Sequence, residues 1–136
     1  MNILVIDGQG GRLGCQMVRS IAEKYPGARL MAVGTNSAAA AAMAKAGAHQ
    51  AAAGENPLIV ACRKADIIIG PIGIVIADSL FGEITPAMAV AVAQSDAVRI
   101  LLPVNRCGNI VAGVQELSLT ALISDAMAKL ECVMQE

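Results

Sequence analysis

The chain has 136 residues, the usual size of one compact domain and too few for separate cofactor and substrate domains. Its hydrophobic fraction of 56% is enough for a sizeable core, and we expect a single domain, residues 1–136. A formal net charge of -1 and only two aromatic residues, Tyr25 and Phe81, argue against a nucleic-acid partner, which would require a basic surface or stacking platforms.

Signals for export, membrane insertion and metal binding are missing from the sequence. Met1 leads into an apolar run without a basic flank or a cleavage site, so we expect a cytoplasmic protein. The longest apolar run, IIIGPIGIVIA, falls well short of the ~20 residues that span a bilayer, so no membrane contact is expected. The four cysteines are widely spaced and the chain has one histidine, so we expect reduced thiols and no metal site.

Apolar runs alternate with helical stretches along the chain, which is typical of a parallel sheet covered on both faces. Strands are predicted at residues 3–6, 29–33, 49–53, 67–69 and 98–102. Helices are predicted at residues 11–24, from a cap at Asn36 or Ser37 to a stop at Gly47, from about residue 55, after Thr85 and Pro86, and at residues 117–130. This order predicts a three-layer, doubly wound α/β fold, Rossmann-like, with a mostly parallel sheet of about five strands.

The stretch PIGIVIADSLFGEI, residues 71–84, is too apolar for a free loop. We expect it to form a short helix or to be buried against a second copy of the chain. Together with the high apolar content of so short a chain, it predicts a homo-oligomer, a dimer or a larger assembly.

Ligands of doubly wound sheets bind in the crevice outside the carboxyl ends of the strands, and all five predicted strand ends carry glycine or polar residues. The candidate binding residues are Gly8, Gln9, Gly10, Gly11, Arg12, Leu13 and Gly14 after the first strand, Thr35, Asn36 and Ser37 after the second, Glu55 after the third, Gly70, Pro71, Ile72 and Gly73 after the fourth, and Asn105 and Arg106 after the fifth. Glycine and asparagine also form ordinary turns, so any one of these segments alone is consistent with a turn.

The glycine spacing after the first strand distinguishes between known phosphate-binding loops. Gly14 is followed by cysteine and glutamine, whereas a nucleoside-triphosphate loop needs lysine and then serine or threonine. The common G-x-G-x-x-G pattern would need glycine in place of Leu13. The spacing Gly8-x-x-Gly11-x-x-Gly14 resembles the turn of extended and atypical short-chain dehydrogenases, which implies a pyrophosphate on the amino end of the following helix. Free amides and the helix dipole there suit an anion.

That resemblance implies NADP or NAD as the cofactor, with the remaining strand ends around it. The uncharged Thr35, Asn36 and Ser37 stand where an acid would favour NAD, and with Arg12 nearby they favour NADP. Glu55 is expected either near the adenine amino group or as a first-turn charge of a helix. Residues 70–73 are expected to form a backbone shelf for the nicotinamide half.

Catalytic residues cannot be assigned from the sequence. Short-chain dehydrogenases carry a tyrosine four residues before a lysine, but Tyr25 is followed at that spacing by Arg29, in the wrong part of the fold. Cys107 follows Arg106 at the binding edge, whereas His49 begins a strand at the opposite edge, so a cysteine–histidine pair is not expected. Arg106 is expected to hold a phosphate or carboxylate. Asp7 is expected to be structural, because beside a pyrophosphate its carboxylate would have to face backbone amides or bind a metal.

Five segments, DGQGG, VGTNS, ADIIIGPIG, GEITPAMA and PVNRC, are together similar to a small bacterial family of domains of unknown function. The similarity extends over nearly the whole chain. It implies a bacterial, cytoplasmic, Rossmann-like protein and assigns no reaction.

Three hypotheses of function remain open at this point. The first is a nucleotide-binding protein, with an NAD(P)-like dinucleotide at the carboxyl ends of the parallel strands. The second is an oxidoreductase or transferase whose site is completed by a second subunit or by residues 71–84. The third is a structural subunit without catalysis. Whether the protein is an enzyme is not determined by the sequence.

Overall fold

The computed structural model describes residues 1–104 and 106–136, and in that part of the chain strands and α-helices alternate from end to end. The strands are β1 (Asn2–Asp7), β2 (Arg29–Gly34), β3 (Gln50–Ala53), β4 (Ile67–Pro71) and β5 (Val98–Leu102). The helices are α1 (Arg12–Lys24), α2 (Ser37–Ala46), α3 (Glu55–Lys64), α4 (Pro86–Gln94) and α5 (Leu119–Met134), and a short 3-10 helix, Ile72–Val75, follows β4. Each predicted strand and helix is present.

The five strands form one sheet in the order β3-β2-β1-β4-β5, and all four pairings are parallel. The chain builds outward from β1 through β2 to β3, then returns to place β4 on the other side of β1. The strand order therefore reverses between β1 and β4. This topology confirms the predicted Rossmann-like, single-domain α/β fold.

Helices cover both faces of the sheet, as the continuous apolar strands require. Side chains of α1, α2 and α5 pack on one face, and side chains of α3 and α4 pack on the other. The central strands β1 and β4 are buried almost throughout, whereas all four residues of the edge strand β3 are exposed. The exposed edge position explains why β3 consists of one glutamine and three alanines.

Capping residues set the helix starts within one or two residues of the predicted positions. The Asn36 side chain accepts from the amide of Ala39 at 2.8 Å, which makes Asn36 the cap of α2. Thr85 caps α4 through the amide of Met88 at 3.2 Å. Ser118 caps α5, so this helix begins at residue 119, two residues later than predicted. Each such cap stabilises its helix by about 1 kcal/mol.

The apolar stretch at residues 71–84 contains the 3-10 helix and then a series of turns, residues 76–84, which we call the β4–α4 segment. Ile74, Leu80 and Ile84 are buried in the core beside α4, while Phe81 is fully exposed. Of the two expectations for this stretch, the short helix is present. Three of its apolar residues, Ile74, Leu80 and Ile84, pack in the chain's own core, and Phe81 does not.

No helix in the described ranges has both the length and the apolar character needed to cross a bilayer.

Candidate functional site

All five strands are parallel, so their carboxyl ends lie at one edge of the sheet. The glycine turn, residues 8–11, joins β1 to α1 at this edge, next to the point where the strand order reverses. Sheets of this kind bind ligands at that crevice. We therefore describe the site outward from the glycine turn.

Asp7, the last residue of β1, fixes the glycine turn through hydrogen bonds to backbone amides. It is 6% exposed, and its two carboxylate oxygens accept from the amides of Gly8 at 2.8 Å and Gly14 at 2.7 Å. Burial raises the pKa of Asp7, and these two amide hydrogen bonds oppose that rise. Asp7 thus faces backbone amides, as expected, and it ties the turn to the first helical residues.

Gly11 directly precedes α1 and occupies the capping position at the amino end of this helix. Its φ of 73° lies in the left-handed region, and a Cβ there would lie 2.9 Å from the Ala39 backbone, so the position needs glycine. Gly11 has no side chain to cap this helix, and the Asp7 carboxylate accepts from one of its first-turn amides, that of Gly14. The amides of Arg12 and Leu13 lie in the first turn, where helix carbonyls do not reach them.

A cavity of about 240 Å³ lies at this open helix end. It is lined by Asp7, Gly8, Gln9, Gly10, Gly11, Arg12, Leu13, Val104 and Leu119. Six of the seven residues predicted from the glycine turn line this cavity. Gly14 does not line it, because it lies inside α1 with its amide bonded to Asp7. Val104 and Leu119 form an apolar wall of the cavity that was not predicted. These two residues reach the cavity because of the path that the chain takes after β5.

Glu83 is the main site residue that sequence reasoning missed. Its Oε1 accepts hydrogen bonds from the Gln9 amide at 2.8 Å, the Thr35 hydroxyl at 2.5 Å and the Asn36 side-chain amide at 2.8 Å. The carboxylate therefore joins the glycine turn to the end of β2. One signal was available: Asp78 and Glu83 are the only acidic residues between Asp66 and Asp96.

The environment of Glu83 keeps it ionised. Partial burial raises its pKa, but the hydrogen bonds from Thr35, Gln9 and Asn36 lower it by more in total, so the pKa lies below the ordinary carboxyl value. A negative charge consequently stands at the end of β2, where the sequence shows only uncharged residues.

The β4–α4 segment lies directly against the glycine turn. A Cβ on Gly8 would lie 2.7 Å from Thr35 Oγ1 and 2.8 Å from Leu80 Cδ1, both closer than packed atoms tolerate. The absence of a side chain at Gly8 thus lets Leu80 and Glu83 approach the turn.

Glu55 follows the third strand and lies at the same edge of the sheet. Glu55 is the first residue of α3, and its Oε1 accepts from the Thr85 hydroxyl at 2.5 Å. Glu55 thus occupies a first-turn position of a helix, one of its two expected places. Ser37, in the first turn of α2, is exposed.

Residues 70–73, at the end of β4 and directly after it, do not present an exposed backbone surface. Gly70, Pro71 and Gly73 are buried, and the Gly73 carbonyl accepts from the Ser79 hydroxyl of the β4–α4 segment. Ile72 begins the 3-10 helix and is partly buried. The apolar residues of the segment fold it back onto the sheet, and this packing covers the backbone predicted to hold a nicotinamide.

Arg106, after β5, was expected to hold a phosphate or carboxylate. It pairs with a carboxylate of the chain itself, its Nη2 lying 2.6 Å from Glu116 Oε1. Cys107 accepts from the Leu80 amide at 3.5 Å, which links the loop after β5 to the β4–α4 segment. Asn105 lies outside the described residues.

His49, the one histidine of the sequence, lies away from this edge. His49 lies before β3 at the amino edge of the sheet, where its Nδ1 accepts from the Leu30 amide at 3.0 Å. Within residues 1–104 and 106–136, no three histidine, cysteine or acidic side chains come together as a metal site would require.

Two larger cavities lie away from the glycine turn. One of about 560 Å³ lies between α3 and α4, with Cys62, Arg63 and Gln94 in its lining. The other, of about 300 Å³, lies beside β3 and includes Val60 and Lys64 of α3. The amino end of α1 does not line either cavity. The chemistry of the open α1 end favours the glycine turn in spite of its smaller volume.

The predicted family resemblance is supported by comparison with protein families. The family described as a domain of unknown function (DUF3842) matches residues 2–135, nearly the whole chain. Among curated proteins and among solved structures, no match is found. The chain therefore belongs to the DUF3842 family of domains of unknown function.

Proposed function

We propose that this protein binds a nucleotide of the NAD(P) type, with its diphosphate on the amino end of α1. The observation that carries the proposal is the cavity at the strand-order reversal, which is lined by the backbone of the glycine turn and by the first turn of α1. Amide groups and the helix dipole at such an end stabilise an anion, typically by about 0.3–1 kcal/mol for the dipole alone.

The charged groups of the cavity lining are Asp7 and Arg12, and the Glu83 carboxylate lies beside the lining on the Gln9 amide. Asp7 is the acidic residue of the lining, but both of its oxygens accept backbone amides and its side chain is buried. Arg12 is exposed at the mouth of the cavity and supplies a positive charge.

A cavity of about 240 Å³ is suited to the diphosphate rather than to a whole dinucleotide. The two nucleosides would extend from it along the strand ends. We propose the adenosine half on the side of Thr35 and Asn36, with Glu55 at the next strand end beyond them. The other half would extend toward Val104 and Leu119.

The proposal makes the protein a binding module. The alternative of an oxidoreductase or transferase requires the site to be completed by a second subunit or by residues 71–84, the stretch that brings Glu83 to the glycine turn. The alternative of a structural subunit predicts that no nucleotide binds. We also propose a homo-oligomer, supported by Phe81 and Ile110, whose large apolar side chains are 100% and 96% exposed. A cytoplasmic location in a bacterium stays a prediction.

Isothermal titration with NAD, NADP, ATP and FMN tests the proposal, and Gly10 is the best position for a variant. A Cβ on Gly10 has no described atom within 4 Å, and Gly10 lines the cavity. Gly10→Asp therefore places a carboxylate near the phosphates without disturbing the fold. Gly11 is unsuitable, because a side chain there would strain the backbone and clash with α2.

Two control variants separate charge from other effects. Gly27→Asp adds the same side chain at an exposed turn where no described atom lies within 4 Å of the new Cβ, and Gly10→Ala adds volume without charge. We expect Gly10→Asp to weaken binding at least about tenfold, a loss of ~1.4 kcal/mol, Gly10→Ala to weaken it less, and Gly27→Asp to bind like the original protein. Absence of binding to every nucleotide at millimolar concentration would refute the proposal.

A further inference from the structure

We propose that Glu83 selects the ribose of the bound nucleotide, favouring free 2′- and 3′-hydroxyls and rejecting a 2′-phosphate. The ligand class is then NAD and related nucleotides with an unmodified adenosine ribose. This inference rests on the proposed function, because it assigns the adenosine side of the same site.

The position of the carboxylate is the first support. Its three hydrogen-bond donors come from the turn after β1, through Gln9, and from the end of β2, through Thr35 and Asn36. In a sheet of this order, a nucleotide with its phosphates on α1 places the adenosine ribose at the end of β2. Glu83 thus brings an acid to that place from a different part of the chain.

The second support is the way in which the two carboxylate oxygens are used. All three hydrogen bonds end on Oε1. Within the described chain no bond ends on Oε2, and no buried side-chain oxygen lacks a partner, so Oε2 is accessible to solvent. Oε1 therefore fixes the side chain, and Oε2 is left to accept hydrogen bonds from ribose hydroxyls.

The negative charge of Glu83 distinguishes a ribose with free hydroxyls from one that carries a 2′-phosphate. A carboxylate accepts hydrogen bonds from a diol, but it repels a phosphate group at the same distance. Of the four residues that favoured NADP in the sequence, Thr35 and Asn36 donate to Glu83, whereas Ser37 and Arg12 are exposed and are not bonded to it.

The backbone that carries Glu83 is an independent support. Three residues other than glycine in the β4–α4 segment, Asp78, Leu80 and Phe81, have φ values of 66°, 55° and 57°. Side chains make this left-handed region unfavourable, and surroundings that hold residues there are common at functional sites. Leu80 is 2% exposed and packs against Gly8. This contact holds the segment in place, so that Glu83, three residues later, reaches the end of β2.

A purely structural role is the competing explanation, since Glu83 also joins two loops. A structural tie would affect all nucleotides alike, whereas ribose selection changes the ratio of the NAD and NADP dissociation constants. That ratio is therefore the decisive quantity.

The experiment measures both dissociation constants by isothermal titration for the original protein, Glu83→Gln, Glu83→Asp and the control Glu23→Gln. Glu23 is exposed near the carboxyl end of α1, at the opposite edge of the sheet, so its variant changes net charge equally without touching the site. We expect the original protein and the control to bind NAD at least about tenfold more tightly than NADP. Glu83→Gln should bring the ratio close to one, and Glu83→Asp should keep a preference for NAD.

The results distinguish the two proposals. Equal affinity for NAD and NADP in the original protein, or an equal loss of both in Glu83→Gln, would overturn ribose selection and leave the nucleotide site itself in place. Absence of binding to both nucleotides would overturn the proposed function and this inference with it.

Discussion

Two carboxylates near the glycine turn have opposite electrostatic environments. Asp7 is buried beneath the turn, and burial raises its pKa in spite of two amide hydrogen bonds. Glu83 lies at the rim, and its three hydrogen bonds hold its pKa below the ordinary value. Asp7 therefore shapes the turn at an electrostatic cost, whereas the ionised form of Glu83 stabilises the folded protein.

The lowered pKa of Glu83 predicts a pH dependence of stability. Between the lowered pKa and the ordinary value of 4.5, the unfolded chain binds more protons at this residue than the folded chain. Its contribution is thus fully present above the ordinary value and is lost as the pH falls through the lowered one. Urea unfolding of the original protein and Glu83→Gln at several pH values measures this contribution. We expect the difference in unfolding free energy to shrink in acid; a constant difference would contradict the role of the charge.

The positions of the two carboxylates are not equally predictable from the sequence. Asp7 directly follows the predicted strand at residues 3–6, so its position at the turn can be expected from the sequence. Glu83 reaches the end of β2 only because Leu80 and Phe81 adopt left-handed conformations that few side chains favour. A contact across 48 residues, from Thr35 to Glu83, depends on that local geometry and is invisible in the sequence.

At the level of elements, regular structure was predictable and the β4–α4 segment was not. Buried parallel strands and capped helices have strong local patterns, and the predicted strands at residues 29–33 and 98–102 lie within one residue of β2 and β5. The segment, by contrast, is held by tertiary contacts. Leu80 packs against Gly8, and the Ser79 hydroxyl bonds to the Gly73 carbonyl.

The fit between Gly8 and this segment can be tested by adding one methyl group. In Gly8→Ala the new Cβ would lie within 3 Å of Thr35 Oγ1 and Leu80 Cδ1, so the segment must shift. We expect a loss of about 1–3 kcal/mol in unfolding free energy, measured by urea denaturation. Gly10→Ala is the matched control, because no described atom lies within 4 Å of its Cβ. Equal stability of the two variants would show that the segment does not depend on this contact.

Considered as a whole, the molecule combines a Rossmann-like topology with exposed apolar side chains. Its sheet order and its glycine turn are features of dinucleotide-binding domains, and its family carries no assigned activity. Phe81 lies in the β4–α4 segment, and Ile110 lies in the loop after β5. Both side chains are exposed in the single chain, and a partner that covered them would remove apolar surface from water.

Self-association is the prediction that belongs to this scale. Light scattering coupled to size exclusion should give a mass of at least twice the 13.9 kDa of one chain. Phe81→Ser should shift the assembly toward the monomer while the far-ultraviolet spectrum stays unchanged. A mass of one chain at all working concentrations would refute the predicted oligomer.

The central claim, that a nucleotide diphosphate binds at the open end of α1, is tested most directly by nuclear magnetic resonance. Titration of the ¹⁵N-labelled protein with NAD should shift the amide signals of Gly10, Arg12 and Leu13, and the shifts should saturate together. Signals of Cys62 and Gln94, beside the larger cavity between α3 and α4, should stay in place. Unchanged signals for the glycine turn at millimolar NAD, or saturating shifts confined to that other cavity, would contradict the account.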